Sequence, residues 1–160
     1  MSTREGKTLL LALGNDILGD DGAGLAAARR LEGACAPSVD VVLSSEAGLA
    51  LIDLMEGYER ALLLDSVVTG APPGTVHEFS PSDFRRVMAP SPHYAGLPEV
   101  LQLAERLEIP FPKEIRVLAL EVEDPYRITE CLSPTVERSI PAFVEAARRI
   151  LEDWRCTSTA

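Results

Sequence analysis

Hydrophobic and polar positions fall into alternating blocks along this chain of 160 residues. Residues 8–13 (TLLLAL) are apolar at every position after the first, the mark of a strand covered on both faces. A glycine-rich polar turn follows, and from Gly22 the period changes. Leu25, Ala28 and Leu31 recur at helical spacing, Arg29 and Arg30 lie off that stripe, and Gly33 closes the segment. Residues 39–43 read as a second strand and residues 49–55 as a short helix ending at Gly57. Residues 61–65 repeat the opening theme, a buried strand that ends on a carboxylate, Asp65. Residues 76–79 alternate as an exposed edge strand does, which turns His77 to solvent.

Residues 81–88 carry one or two helical turns, and the prolines of residues 89–97 make that stretch a loop. Pro98 suits the first turn of a helix running to residue 107, and residues 115–120 form another strand. Ser133-Pro134 reads as the N-cap and first residue of a last helix towards Trp154. Val136, Ile140, Phe143, Val144, Ala147 and Leu151 lie on its apolar side, and Pro141 is a site for a kink. Strands alternate with helices throughout, without repeats or linkers. The pattern predicts one α/β domain over residues 1–160, a three-layer α/β/α sandwich about a mostly parallel, twisted central sheet.

Charge narrows the range of functions. A formal net charge of −10 argues against a general binder of nucleic acid or anionic membranes, and is compatible with binding a cation. Cys35, Cys131 and Cys156 are odd in number, far apart and in no Cys-x-x-Cys pair. That usage fits a reducing compartment better than a disulfide framework or a structural zinc site. No stretch is long enough to span a membrane, and the first apolar run is too short for a signal peptide core. The expectation is a cytoplasmic protein.

Candidate chemistry concentrates in the turn from Gly14 to Gly24, whose centre is Gly19-Asp20-Asp21-Gly22. Gly14 and Gly19 have the spacing of a phosphate-binding loop, but Asp20 stands where its lysine is required, and two carboxylates there repel phosphate. The dinucleotide-binding glycine pattern is not met in any register. A single acid at a helix start is accounted for by capping; a second acid is free to face a ligand. Asp65 ends its strand on the same edge of a parallel sheet, so neighbouring strands would bring it into one crevice with Asp20 and Asp21. Carboxylates gathered in one place shift a proton affinity or recruit a metal. His93, in a proline-rich loop, is the imidazole that would complete an open metal site. No Gly-x-Ser-x-Gly elbow occurs, and the cysteines have no evident histidine partner. A phosphoacceptor receiver domain also has acids after its first and third strands. It needs a lysine after a late strand, where this chain has Glu121-Val122-Glu123-Asp124.

Taken together, these motifs resemble one known family. Gly14-Asn15-x-x-Leu18-Gly19-Asp20-Asp21-Gly22-x-Gly24 is similar to the N-terminal signature of the nickel–iron hydrogenase maturation endopeptidases. Leu64-Asp65-Ser66-Val67, Ser91-Pro92-His93-x-x-Gly96-Leu97 and Leu132-Ser133-Pro134-x-Val136 resemble its aspartate segment, histidine loop and last helix, in order. The resemblance implies an endopeptidase that removes a C-terminal extension from the hydrogenase large-subunit precursor after nickel insertion. It implies that Asp21, Asp65 and His93 form the catalytic and metal-holding set, with nickel supplied by the substrate. Asp20 becomes a supporting or capping acid, Gly14 and Asn15 shape the turn, and Cys131 is a small buried residue. The competing reading is a nickel-binding maturation chaperone without peptidase activity on the same fold.

Overall fold

The computed structural model describes residues 3–85, 93 and 96–158. Five strands form one sheet: β1 (Thr8–Leu13), β2 (Val39–Ser44), β3 (Arg60–Val67), β4 (Val76–Phe79) and β5 (Glu114–Glu121), in the order β2-β1-β3-β5-β4. The first three and β5 are parallel, and β4 runs antiparallel to β5 at the edge. The helices are α1 (Ala23–Leu31), α2 (Ala50–Met55), α3 (Leu97–Arg106) and α4 (Pro134–Ser158).

Strand alternation decides which helix covers which face. Leu10, Ala12, Leu62, Leu64, Leu118 and Leu120 pack with α1 and α4, including Phe143 and Trp154. The intervening residues, such as Leu9, Leu11, Leu63 and Val117, pack with Leu51 and Met55 of α2 and Leu97 of α3. Both faces are dry, which is why β1 and β3 read as unbroken apolar runs. The three-layer architecture with a mostly parallel sheet is therefore the one observed.

Details depart from expectation where tertiary contacts intervene. β3 continues past Asp65 because pairing with β5 persists through Ser66↔Leu120 and Val67↔Glu121, whereas pairing with β1 ends at Ala12↔Leu64. Asp65 is thus the first β3 residue beyond the β1 ladder. In the last helix Ile150 is buried and Leu151 only partly so, and the helix runs through Pro141 to Ser158. Of the helical stretch expected at 81–88, residues Pro81–Arg85 form a 3₁₀ turn. Residues 86–88 and most of the expected proline loop, 89–92, 94 and 95, lie outside the described residues. Among the described residues no helix is long and apolar enough to cross a membrane.

Candidate metal-binding active site

The site lies between β1 and β3, where the strand order changes direction. Chains leave β1 and β3 towards opposite sides there, which opens a crevice beyond their carboxyl ends. The acid turn bridges β1 to α1 through a 3₁₀ turn, Gly19–Gly22. Two glycines make this packing possible. A Cβ on Gly24 would stand 2.7 Å from the Leu64 carbonyl oxygen and 3.1 Å from that of Leu13. A side chain there would lift the start of α1 off both strands. Gly14 has φ of +156°, and a Cβ on it would overlap the Asp21 carbonyl.

Asp21, Asp65 and His93 are brought together. One ligand atom from each lies within 4.8 Å of the others, and all three side chains are buried. His93 Nε2 lies 3.2 Å from Asp21 Oδ2. The Asn15 N–H donates to the same oxygen at 2.9 Å, and the Ser66 hydroxyl donates to Asp21 Oδ1 at 3.2 Å. The Ser66 N–H donates to Asp65 Oδ1 at 2.7 Å. Ser66 therefore touches both carboxylates and fixes their relative position. The hydrogen bond with Asp21 raises the His93 pKa above its ordinary value. Burial opposes that rise, while the charges of Asp65 and Asp21 and a backbone contact with Glu46 add to it. Two buried acids and one imidazole within reach of a single ion form an oxygen-rich, nitrogen-containing donor set. Such a set suits a borderline divalent metal.

Asp20 has a different task. Its carboxylate accepts the Ser133 N–H at 2.7 Å and the Ser133 hydroxyl at 2.9 Å. It does act at a helix start, but at that of α4 rather than of the helix that follows it. Ser133, expected to cap α4 with its own side chain, instead turns its hydroxyl to Asp20. Asp16 is exposed and paired with Arg29 at 2.9 Å, outside the crevice.

Two expectations are corrected, and one buried group was missed. His77 does not face solvent freely: its Nε2 lies 2.9 Å from Glu121 Oε2, an acid whose side chain is 1% exposed. Glu121 went unrecognised in the sequence as a buried group. Burial pushes its pKa up, yet the Thr69 N–H and hydroxyl, His77 and the Gly70 N–H together hold it below the usual value. Cys131 is exposed rather than buried.

Comparison with known proteins addresses the family directly. The model of the HycI hydrogenase maturation proteases matches residues 25–150. The chain belongs to the hydrogenase maturation protease family. Asp65 and His93 fall inside the matched span, and Asp21 lies just upstream of it. Among curated relatives, the hydrogenase expression/formation protein HupD of Rhizobium leguminosarum bv. viciae is 26% identical over 159 residues, covering 96% of this chain and 78% of that protein. The hydrogenase maturating endopeptidase HybD from E. coli superposes with a TM-score of 0.78 at 26% identity, covering 92% of this chain and 93% of that one. The [NiFe] hydrogenase maturation protease HybD from Thermococcus kodakarensis is 29% identical, with a TM-score of 0.69 over 91% of this chain and 99% of its own.

Proposed function

We propose that this protein is an endopeptidase that removes the C-terminal extension of a nickel–iron hydrogenase large-subunit precursor once nickel has been inserted. The observation that carries the reading is the buried cluster of Asp21, Asp65 and His93 within 4.8 Å of one another. Nickel enters as part of the substrate. Asp21 and Asp65 supply oxygen donors and His93 a nitrogen donor, completing the coordination of an ion that the precursor already holds. Ser66 and the Asn15 N–H fix the Asp21 carboxylate in place, so little reorganisation accompanies capture. Two carboxylates and a single imidazole suit a metal that is borne in and released with the product better than one held permanently. Docking on nickel sets the scissile peptide bond in the crevice, and a precursor without nickel gains nothing from the cluster.

Incubation with nickel-loaded and nickel-free precursor tests the proposal. A shortened large subunit formed only from the loaded precursor is the expected result. A stable complex with no new fragment would instead support the chaperone reading. Equal cleavage of both precursors would remove nickel recognition from the account.

A further inference from the structure

Beyond the acid cluster, the loop between β5 and α4 carries a feature that catalysis leaves unused. The Thr129 N–H donates to the Ile17 carbonyl at 3.0 Å, and the Gly19 N–H donates to the Thr129 carbonyl at 2.7 Å. These two bonds form a parallel bridge between Leu18 and Thr129. In that register Ile17 and Ile128 are the residues that precede the bridge on its two segments. Ile17 is 53% exposed and Ile128 85%, and Tyr126, two residues upstream, is 74% exposed. Three large apolar side chains therefore stand in water around this bridge, and one of them, Ile17, is four residues from Asp21 in the acid turn. A cleft of about 450 Å³ runs along the same loop, lined by Asp20, Asp124, Arg127 and Ser133 among others. Glu123, Asp124 and Glu130 are exposed along this loop, and Arg127 is its one cation.

We infer that the Ile17–Ile128 bridge, with Tyr126, is the docking surface for the precursor polypeptide next to its scissile bond, an extended segment of apolar side chains interspersed with lysine or arginine. This rests on the peptidase reading above. Exposed apolar side chains gathered about one bridge mark a surface that a partner covers, and the acidic residues of the loop select a cationic partner and speed its approach. The bridge is stitched to the backbone of the acid turn itself, so a segment seated on it is already registered against Asp21. Among the described residues no backbone bridge links the acid turn to Leu107, an apolar side chain 61% exposed just past α3.

The test compares wild type, Ile17→Ser/Ile128→Ser and the control Leu107→Ser on nickel-loaded precursor. Both binding and steady-state cleavage are measured, after circular dichroism has verified each fold. Losing two buried isoleucines from an interface raises Kd and KM about ten-fold or more and leaves kcat within about two-fold. The control keeps wild-type values. Raising salt weakens wild-type binding, as an acidic rim meeting a basic segment requires. If wild type cleaves and the double variant matches it in KM and Kd, the docking surface is overturned and the peptidase reading stands. If wild type neither binds nor cleaves the precursor, the peptidase reading fails and the docking surface falls with it. A wild-type dimer that the double variant abolishes would overturn the proposal in favour of self-association.

Discussion

Two histidine–carboxylate pairs sit on the same edge of one sheet, and they differ in kind. His77 meets Glu121 at 2.9 Å, and His93 meets Asp21 at 3.2 Å. Around Glu121 the donors outnumber the acids: two backbone N–H groups, a hydroxyl and the ring converge on one carboxylate. That carboxylate is saturated by hydrogen bonds in place, and the result is a latch that holds the turn after β3 against β5. Around Asp21 a second carboxylate, Asp65, shares the imidazole, and the surplus is negative charge. A buried surplus of acid costs stability unless a cation arrives. The same two residue types thus serve as structure where donors saturate one carboxylate and as a candidate site where two carboxylates share one imidazole.

Asp65→Asn probes that contrast most severely. Removing one of two crowded acids lowers precursor cleavage by about a thousand-fold or more, roughly 4 kcal/mol of barrier, while relief of repulsion keeps the melting temperature at or above wild type. Thermal melts beside a cleavage assay would show it. A lowered melting temperature with intact cleavage would put Asp65 in the structural class with Glu121.

Glu121→Gln sharpens the opposite half. Replacing a buried acceptor of charge-assisted bonds costs about 1–3 kcal/mol at pH 7, with cleavage nearly unchanged. The sign with pH follows from the lowered pKa. The stabilisation is present above the ordinary carboxylate value of 4.5 and is lost as pH falls through the lower folded-state value. Urea midpoints measured between pH 7 and 3 would therefore converge for wild type and variant on the acid side. A gap that stays constant over that range would remove the charge from the explanation.

Ser133→Ala has the smallest effect, about 1 kcal/mol for a lost hydroxyl bond whose N–H partner survives. Faster amide exchange in the first turn of α4, with Asp21 chemistry intact, is the expected signature. A loss of cleavage as large as that of Asp65→Asn would mean that Asp20 belongs to the reacting cluster.

Much of this contrast was legible beforehand, for a physical reason. Buried parallel strands demand unbroken apolar runs, so a polar residue at the end of one, such as Asp65, stands out. Asp20 and Asp21 stood out because one cap needs only one acid, although the sequence did not reveal that Asp20 serves a helix 113 residues away. His77 and Glu121 were obscure because their pairing depends on β4 lying antiparallel beside β5, a register set by the whole sheet. A histidine in an alternating strand looks solvent-facing until its cross-strand neighbour is known. Cys131 was misjudged because a small apolar side chain suits a core and a loop equally, and only the path of residues 122–133 decides between them.

The hydrogen bonds between Asp20 and Ser133 also order events in time. Chains fold from the N-terminus as they emerge, at about 5–20 residues per second. The acid turn is therefore synthesised roughly ten seconds before the serine that ties it down. Until residues 129–133 and α4 are in place, the turn lacks both this clamp and the Leu18–Thr129 bridge, and only the local contacts of Asn15 and Ser66 hold Asp21. A chain that stops short of α4 holds all three residues of the cluster without the clamp that anchors their turn, so the last helix to be made completes the support of the first loop.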